Sequence, residues 1–398
     1  MERGPVTEWT VDDLDELAYD PVMADALTRE RLGLVRLPHG EGEAWLAGKY
    51  ADVTRVTSDA RFSRAALLRQ NVTRLAPNPV PLHDAVGFAD PPEHARLRRS
   101  ASQAFTHRRI EQLRPRWREL ASDLVAAMVR DGAPADLVAR VYAPFAMHGM
   151  SELMGIPEPD REQLVAWAGQ IISGANPPEV SERAKHEVSA YFDRLADQRL
   201  AEPQDDLISH LLEGERAGEL TRDQLVGFAV LMQLSGMMAV RCNSSTMAYT
   251  LLTRPELWQR LVAEPALVPQ AVEELLRWVP HRNAVGQARI ATEDVELGGV
   301  LVRAGEAVHS SYVAANRDPE VFERPHELDF DRAPNPHLAF GHGPHYCVGA
   351  AFARMETQVL LATLLDRLPQ LRLAVPPEQV PWRRGELIRG PRELPVAW

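Results

Sequence analysis

The sequence predicts a mainly helical chain with a minor share of short strands. Three observations carry this. Residues 114–214 read as helix after helix, broken only at Gly132-Ala-Pro134, Gly155-Ile-Pro157 and Asn176-Pro-Pro178. Residues 220–252 form one long apolar stretch. Strand-like alternation is confined to short segments near the start, around residues 285–311 and at the tail.

With 398 residues, 45% hydrophobic and 25% charged, the chain is long enough to bury a large core as one domain or two. A formal net charge of −12 argues against non-specific nucleic-acid binding. Two cysteines, Cys242 and Cys347, give no disulfide framework. The first twenty residues are acidic and polar, with no basic segment leading into an apolar run, so neither a signal peptide nor a membrane anchor is expected. The apolar run 225–240 contains Gln233 and Ser235 and ends at Arg241, short of the ~20 residues a span needs, and it reads as a buried core helix. The expectation is a soluble cytoplasmic protein of prokaryotic type.

In chain order, a first helix is expected over residues 10–17, with Thr10 as cap and Asp12, Asp13 and Asp15 in its first turn. A second is expected over residues 22–32. Residues 33–37 and 44–47 flank His39-Gly-Glu-Gly42 and read as a β-hairpin. Residues 64–90, with Pro77, Pro79 and Pro81, read as a long loop of the functional or mobile kind. Asp90-Pro91-Pro92-Glu93-His94 opens a helix, and Arg96, Arg98, Arg99, Arg108 and Arg109 follow as a local basic patch, by itself readable as a solvated helix face. Thr221 starts the long helix through Leu252. Glu274 and Arg277 stand one turn apart, a spacing that on a surface is worth only ~0.2–0.5 kcal/mol. Strands are expected at residues 285–289, 295–297 and 306–311, and again in the tail.

The chemistry concentrates in residues 337–358, HLAFGHGPHYCVGAAFARMETQ. Gly341, Gly343 and Gly349 permit close backbone approach, so this loop can lie against something flat while presenting one sulfur. Helical spacing of Ala351, Met355, Gln358 and Leu361 puts Cys347 just before a helix N-terminus, where thiolate is favoured over thiol. A rigidly held thiolate suits axial ligation of haem iron, whereas an arbitrary cysteine is more often a small buried hydrophobe. The pattern Phe340-x-x-Gly343-x-His345-x-Cys347-x-Gly349 resembles the cysteine-loop signature of the cytochrome P-450 family.

That resemblance extends along most of the chain. It implies a single catalytic domain over residues 1–398 with the family's helical prism and small β lobe, and haem b (iron protoporphyrin IX) ligated by Cys347. His94 and Arg98 in D-P-P-E-H-x-x-x-R, together with Arg289 and His345, would bond the propionates, while Phe340 and Gly349 shape the loop. Electrons would come from NAD(P)H through a reductase and an acidic ferredoxin docked on the basic patch. Glu274 and Arg277 become a buried pair joined by Arg332. Residues 64–90 would roof the substrate pocket, which would take Gln70 and Val86 from that loop, Met232, Met237 and Asn243 from the long helix, Asn283, Ala284 and Val285, and Leu387 and Ile388 from the tail.

One departure from the pattern is informative. Counting back from Pro255 as the family spacing requires, Gly236 takes the glycine of A-G-x-[Asp/Glu]-Thr, but Met238 stands where the acid belongs and Ala239 where the threonine belongs. The pair that relays protons to iron-bound dioxygen is missing. Arg241 lies about 200° around the helix from Ala239 and should face away. Asn243 returns near Ala239's face, and a pocket role and a helix–helix hydrogen bond both remain open for it. The tail, residues 373–398, resembles that of the subfamily acting on cyclic dipeptides. Three readings follow: radical C–C or C–N coupling of a tryptophan-containing cyclic dipeptide, hydroxylation with an unusual proton route, and ligand binding or sensing without catalysis. A peroxide-driven variant is a further possibility. The missing relay and the tail favour coupling, and the basic docking face argues against a binding-only protein.

Overall fold

The computed structural model describes residues 4–10, 14, 16–75, 85–172, 176–280, 288–383 and 388–398. Its contacts group the chain into two compact units, Met1–Ala95 with Glu273–Cys347, and Arg96–Val272 with Val348–Trp398.

The first unit holds most of the strand structure. A six-stranded sheet runs in the order Val6–Glu8, Gly33–Arg36, Ala44–Ala47, Ala307–Ser310, Arg289–Ala291, Phe62–Ser63. The expected hairpin is there, with Leu34 opposite Trp45. Leu34, Trp45, Val53, Val56, Phe62, Val308 and Leu338 share one apolar cluster, so sheet, helix Tyr50–Ser58 and the approach to the cysteine loop bury one another. Two expectations near the N-terminus change. Leu14, Glu16 and Leu17 are not helical, and the described helix is Pro21–Thr28, shorter than residues 22–32. Asp20 caps this helix: Trp9 Nε1 donates to Asp20 Oδ2 at 2.7 Å, leaving Oδ1 to accept from Val22 N at 2.8 Å.

Helix Val268–Trp278 carries the Glu274–Arg277 pair into the first unit, where both side chains are almost wholly buried. Glu274 accepts from Arg277 Nε and Nη2 at 2.8 and 2.7 Å, from Arg332 Nε at 3.1 Å, from Asn335 Nδ2 at 3.1 Å and from Asp329 N at 3.0 Å. Arg277 in turn donates to the carbonyls of Asn316, Pro325 and Glu327. The surface-pair reading is therefore wrong, and the three-membered buried cluster is present. Asn316 Oδ1 then accepts from Leu338 N at 2.6 Å, which ties the network to the start of the cysteine loop.

The second unit is nearly all helix: Glu93–Ala104 leads into it, followed by His107–Asp131, Ala143–Met154, Arg161–Ile172, Pro178–Ala201, Leu207–Arg216, Arg222–Leu252, Pro255–Ala263 and Ala350–Arg367. A small sheet joins Arg372–Leu373, Pro395–Ala397 and Ala135–Asp136. Thr221 and Gln224 exchange hydrogen bonds as a capping box at the head of Arg222–Leu252, worth ~1 kcal/mol. Among the described residues this is the one helix long and apolar enough to cross a membrane, and most of its residues are buried inside the protein.

Glu356 is a charged type placed where no charge is tolerated. Its Oε1 accepts from Trp117 Nε1 at 3.1 Å, and Oε2 is buried without a hydrogen-bond partner. A Cβ on Gly149 would lie 2.8 Å from Trp117 Nε1 and 2.9 Å from Glu356 Oε1, so glycine lets helix Ala143–Met154 close over the pair. Burial pushes the carboxyl up to about 8, with the Trp117 hydrogen bond pulling the other way. An unfolded glutamate titrates near ~4.3, so between that pH and about 8 the native state holds the extra proton, and this group's contribution to stability falls as pH rises across that window. Glu356→Gln should remove that slope. Its melting temperature relative to the parent should rise from pH 5 to pH 8, and a difference that stays flat would mean Glu356 is ionised in the native protein.

Candidate functional site

The cysteine loop is fixed by its own backbone. Cys347 N donates to Phe340 O at 2.8 Å, Gly341 N to Leu338 O at 2.9 Å and Tyr346 N to Gly343 O at 3.0 Å. Gly343 has φ +70°, and a Cβ there would sit 2.4 Å from the carbonyl oxygen of Thr57, so only glycine seats the loop on helix Tyr50–Ser58. The Phe340 ring lies between His337 and Tyr346, with centroids 6.2 and 6.4 Å away. Held this way, Cys347 is exposed, unlike the buried Cys242. The helix Ala350–Arg367 begins three residues later with Gly349 as its N-cap.

Around this loop the first unit gathers nitrogen donors. The His94 and His345 rings have centroids 4.1 Å apart, and His94 is buried. Arg289 is buried and donates from Nη1 to Phe62 O at 3.4 Å; burial pulls its guanidinium below the ordinary range, offset in part by Tyr312 and Asp90. Arg64, which the sequence reading passed over as the first residue of a loop, stands near Arg289. Its Nε is buried without a hydrogen-bond partner, and burial together with the Arg289 charge brings it down to about 10. Nothing in its local sequence marks it. Its setting depends on Asp90, 26 residues further on, whose Oδ1 accepts from Arg64 N at 2.8 Å.

The remaining predicted residues fall as follows. In the first unit, Gln70 is exposed at the end of the turn Ala65–Arg69, and Val86 is buried in the turn Val86–Phe88. In the second, Arg98 is half-buried on Glu93–Ala104. Met232, Gly236, Met237, Met238, Ala239 and Asn243 all lie on Arg222–Leu252. A Cβ on Gly236 would meet Met150 Cε at 2.1 Å, so this glycine admits the methionine of the neighbouring helix. Met232 reaches the start of the helix that follows Cys347, its Cε 3.9 Å from where a Gly349 Cβ would stand. Met238 is buried, and Asn243 Oδ1 is buried without a hydrogen-bond partner. A Cβ on Gly390 would lie 3.1 Å from Thr246 Oγ1 and 3.2 Å from Cys242 O, which brings the tail, with half-buried Ile388, across the same helix. Asn283, Ala284, Val285 and Leu387 lie outside the described residues.

The basic patch is smaller than the sequence suggests. Arg96 donates to Glu219 O and to Gln224 Oε1, and Arg109 to Asp205 Oδ1 at 2.7 Å, so both are held inside their unit. Arg99 and Arg108 are exposed.

An exposed sulfur on a pinned loop, with the buried Arg289 and the orphaned Arg64 donor in the same unit, is the donor set that a haem needs: one soft ligand for iron and cations for its two carboxylates. The residues present fit the group.

Comparison with known proteins agrees. The sequence profile described as Cytochrome P450 matches residues 179–386. The chain is 48% identical to a biflaviolin synthase of Streptomyces coelicolor over 99% of this chain and 97% of that protein. It is 46% identical to a nocardicin C N-oxygenase of Nocardia uniformis, covering all of both. Among solved structures, cytochrome P450mel 107F1, described as having biaryl coupling reactivity, superimposes with a TM-score of 0.95 at 43% identity, over 99% of this chain and all of that one. The family uses haem b, and its bacterial members receive electrons through a reductase and a ferredoxin. With the cysteine loop, the helical architecture and full-length relatives in agreement, this chain belongs to the cytochrome P450 family and is a haem-thiolate oxidoreductase.

Proposed function

We propose that this enzyme, acting in the cytoplasm on a secondary metabolite, joins a tryptophan-containing cyclic dipeptide to a second molecule through a new C–C or C–N bond. The observation that carries this reading is the Met238–Ala239 pair on Arg222–Leu252, which holds no exchangeable proton where the family keeps an acid and an alcohol. When bound, haem supplies one-electron oxidation of the substrate at the expense of dioxygen. Cys347 would hold the iron, and His94, Arg98, Arg289 and His345 would hold the propionates. Met238 and Ala239 present an apolar wall, so a substrate whose own N–H or O–H reaches the centre completes the proton path. Asn243 Oδ1, without a protein donor, is suited to accept from an indole or amide N–H. The balance is closed: two hydrogen atoms leave the substrates, one bond forms between them, and dioxygen takes these, two electrons from the redox partner and two protons from solvent to give two waters. The biflaviolin synthase and biaryl-coupling likenesses support the reading. Hydroxylation is the alternative, supported by the likeness to an N-oxygenase. Exposed Arg99 and Arg108 are suited to an acidic ferredoxin.

The test is a screen of cyclic dipeptides by Soret shift, followed by mass analysis of turnover under labelled dioxygen. The main product should have gained a bond and lost two hydrogens without label. One labelled oxygen in most of the product would replace coupling by hydroxylation. Met238→Glu with Ala239→Thr should divert product toward hydroxylation or release of peroxide.

A further inference from the structure

We propose that Arg64 is a further propionate-binding residue, sharing one haem carboxylate with Arg289. The inference rests on haem occupying the site, which the family assignment gives, and not on the coupling reading.

Arg289 is buried and Arg64 half-buried, and the pairing of Ser63 with Ile290 brings the two guanidiniums side by side, where they repel. The protein's own groups relieve this only in part. Asp90 is the nearest carboxylate, and its oxygens are already taken by the Ser63 hydroxyl, by Arg64 N at 2.8 Å and by Ala65 N at 3.4 Å. It therefore fixes the backbone of Arg64 and leaves the side chain to another partner. The same residue accepts His94 N on its carbonyl at 2.9 Å, so Asp90 sets Arg64 and His94 together. His94 in turn packs on His345, two positions before the cysteine. Tyr312, which bonds Arg289, offers a phenol and no carboxylate. A carboxylate placed between Arg64 and Arg289 would remove the repulsion. Haem brings two carboxylates. A carboxylate on the substrate is the other source of the same chemistry, but the proximity of Arg64 to Arg289 and its shared anchor with His94 favour the cofactor.

The experiment uses the holoenzyme. Ferric Arg64→Gln, Arg64→Lys and parent proteins are mixed with excess apomyoglobin, and haem transfer is followed in the Soret region. Resonance Raman spectra of the same proteins report the propionate bending bands. Arg64→Gln should release haem about tenfold faster or more, the loss of one charge-assisted hydrogen bond, and should shift one propionate band. Arg64→Lys, which keeps the charge and loses the fork, should fall between. Arg303→Gln removes the same charge from an exposed pair with Asp294 and should match the parent. Parent-like release and propionate bands in Arg64→Gln would overturn the assignment. So would an effect confined to the affinity of carboxylate-bearing ligands, which would give Arg64 to the substrate. Should Arg64→Gln not fold, Arg64→Lys with parent-like release and bands is itself contrary.

Discussion

Cys347→Ser protein, reduced under carbon monoxide, will lack the thiolate-type Soret band, and Cys242→Ser will keep it. The two cysteines differ in every respect that matters to ligation. Cys347 is exposed at the end of a loop pinned by its own amide on Phe340 O and by Gly343 on Thr57. Cys242 is 1% exposed inside Arg222–Leu252, with its carbonyl accepting the hydroxyls of Ser245 and Thr246 at 3.0 and 2.8 Å and the tail closed over it at Gly390. A serine oxygen is a poorer donor to iron, so the band should disappear without loss of fold, checked by far-ultraviolet dichroism. Retention of the band in Cys347→Ser would remove the assignment at its root.

Glu274→Ala will cost about 3–5 kcal/mol, the usual consequence of leaving a buried charge without its partner. Arg277 would then lie in the core with three carbonyls and no carboxylate, and Arg332, Asn335 and the Asp329 amide would lose their common acceptor. Because Asn316 is bonded to Arg277 through its carbonyl and to Leu338 through its side chain, the damage reaches the cysteine loop. The measurement is urea unfolding together with haem content at expression. The midpoint should fall steeply and haem content should fall with it. Arg277→Met should be milder than Glu274→Ala, since it removes the stranded charge rather than creating one. Parent-like stability in Glu274→Ala would mean that the cluster is solvated and contributes as a surface pair does.

The elements read correctly from sequence are those whose causes are local. The breaks at Gly132, Gly155 and Asn176 and the Thr221–Gln224 box each act within a few residues, so they can be seen without the fold. What failed depended on partners far away in the chain. Asp20 shows itself as a helix cap only once Trp9 turns back onto it. Arg96 looks like any exposed helix arginine until Glu219 and Gln224 come up beside it.

The sequence by itself determined the haem-thiolate chemistry, because a sulfur on a glycine loop keeps its character in any fold. Tertiary structure alone decided where charge is buried. Glu274 and Arg277 have the same i, i+3 spacing on a surface as in a core, and only the closure of residues 316–335 over them makes the pair indispensable. Glu356 becomes a neutral acid because Trp117 and Gly149 shut out water, and Arg64 becomes a donor in need of a carboxylate because Asp90 and Arg289 arrive from 26 and 225 residues away. Desolvation is a property of the surroundings, and no single stretch of chain contains it.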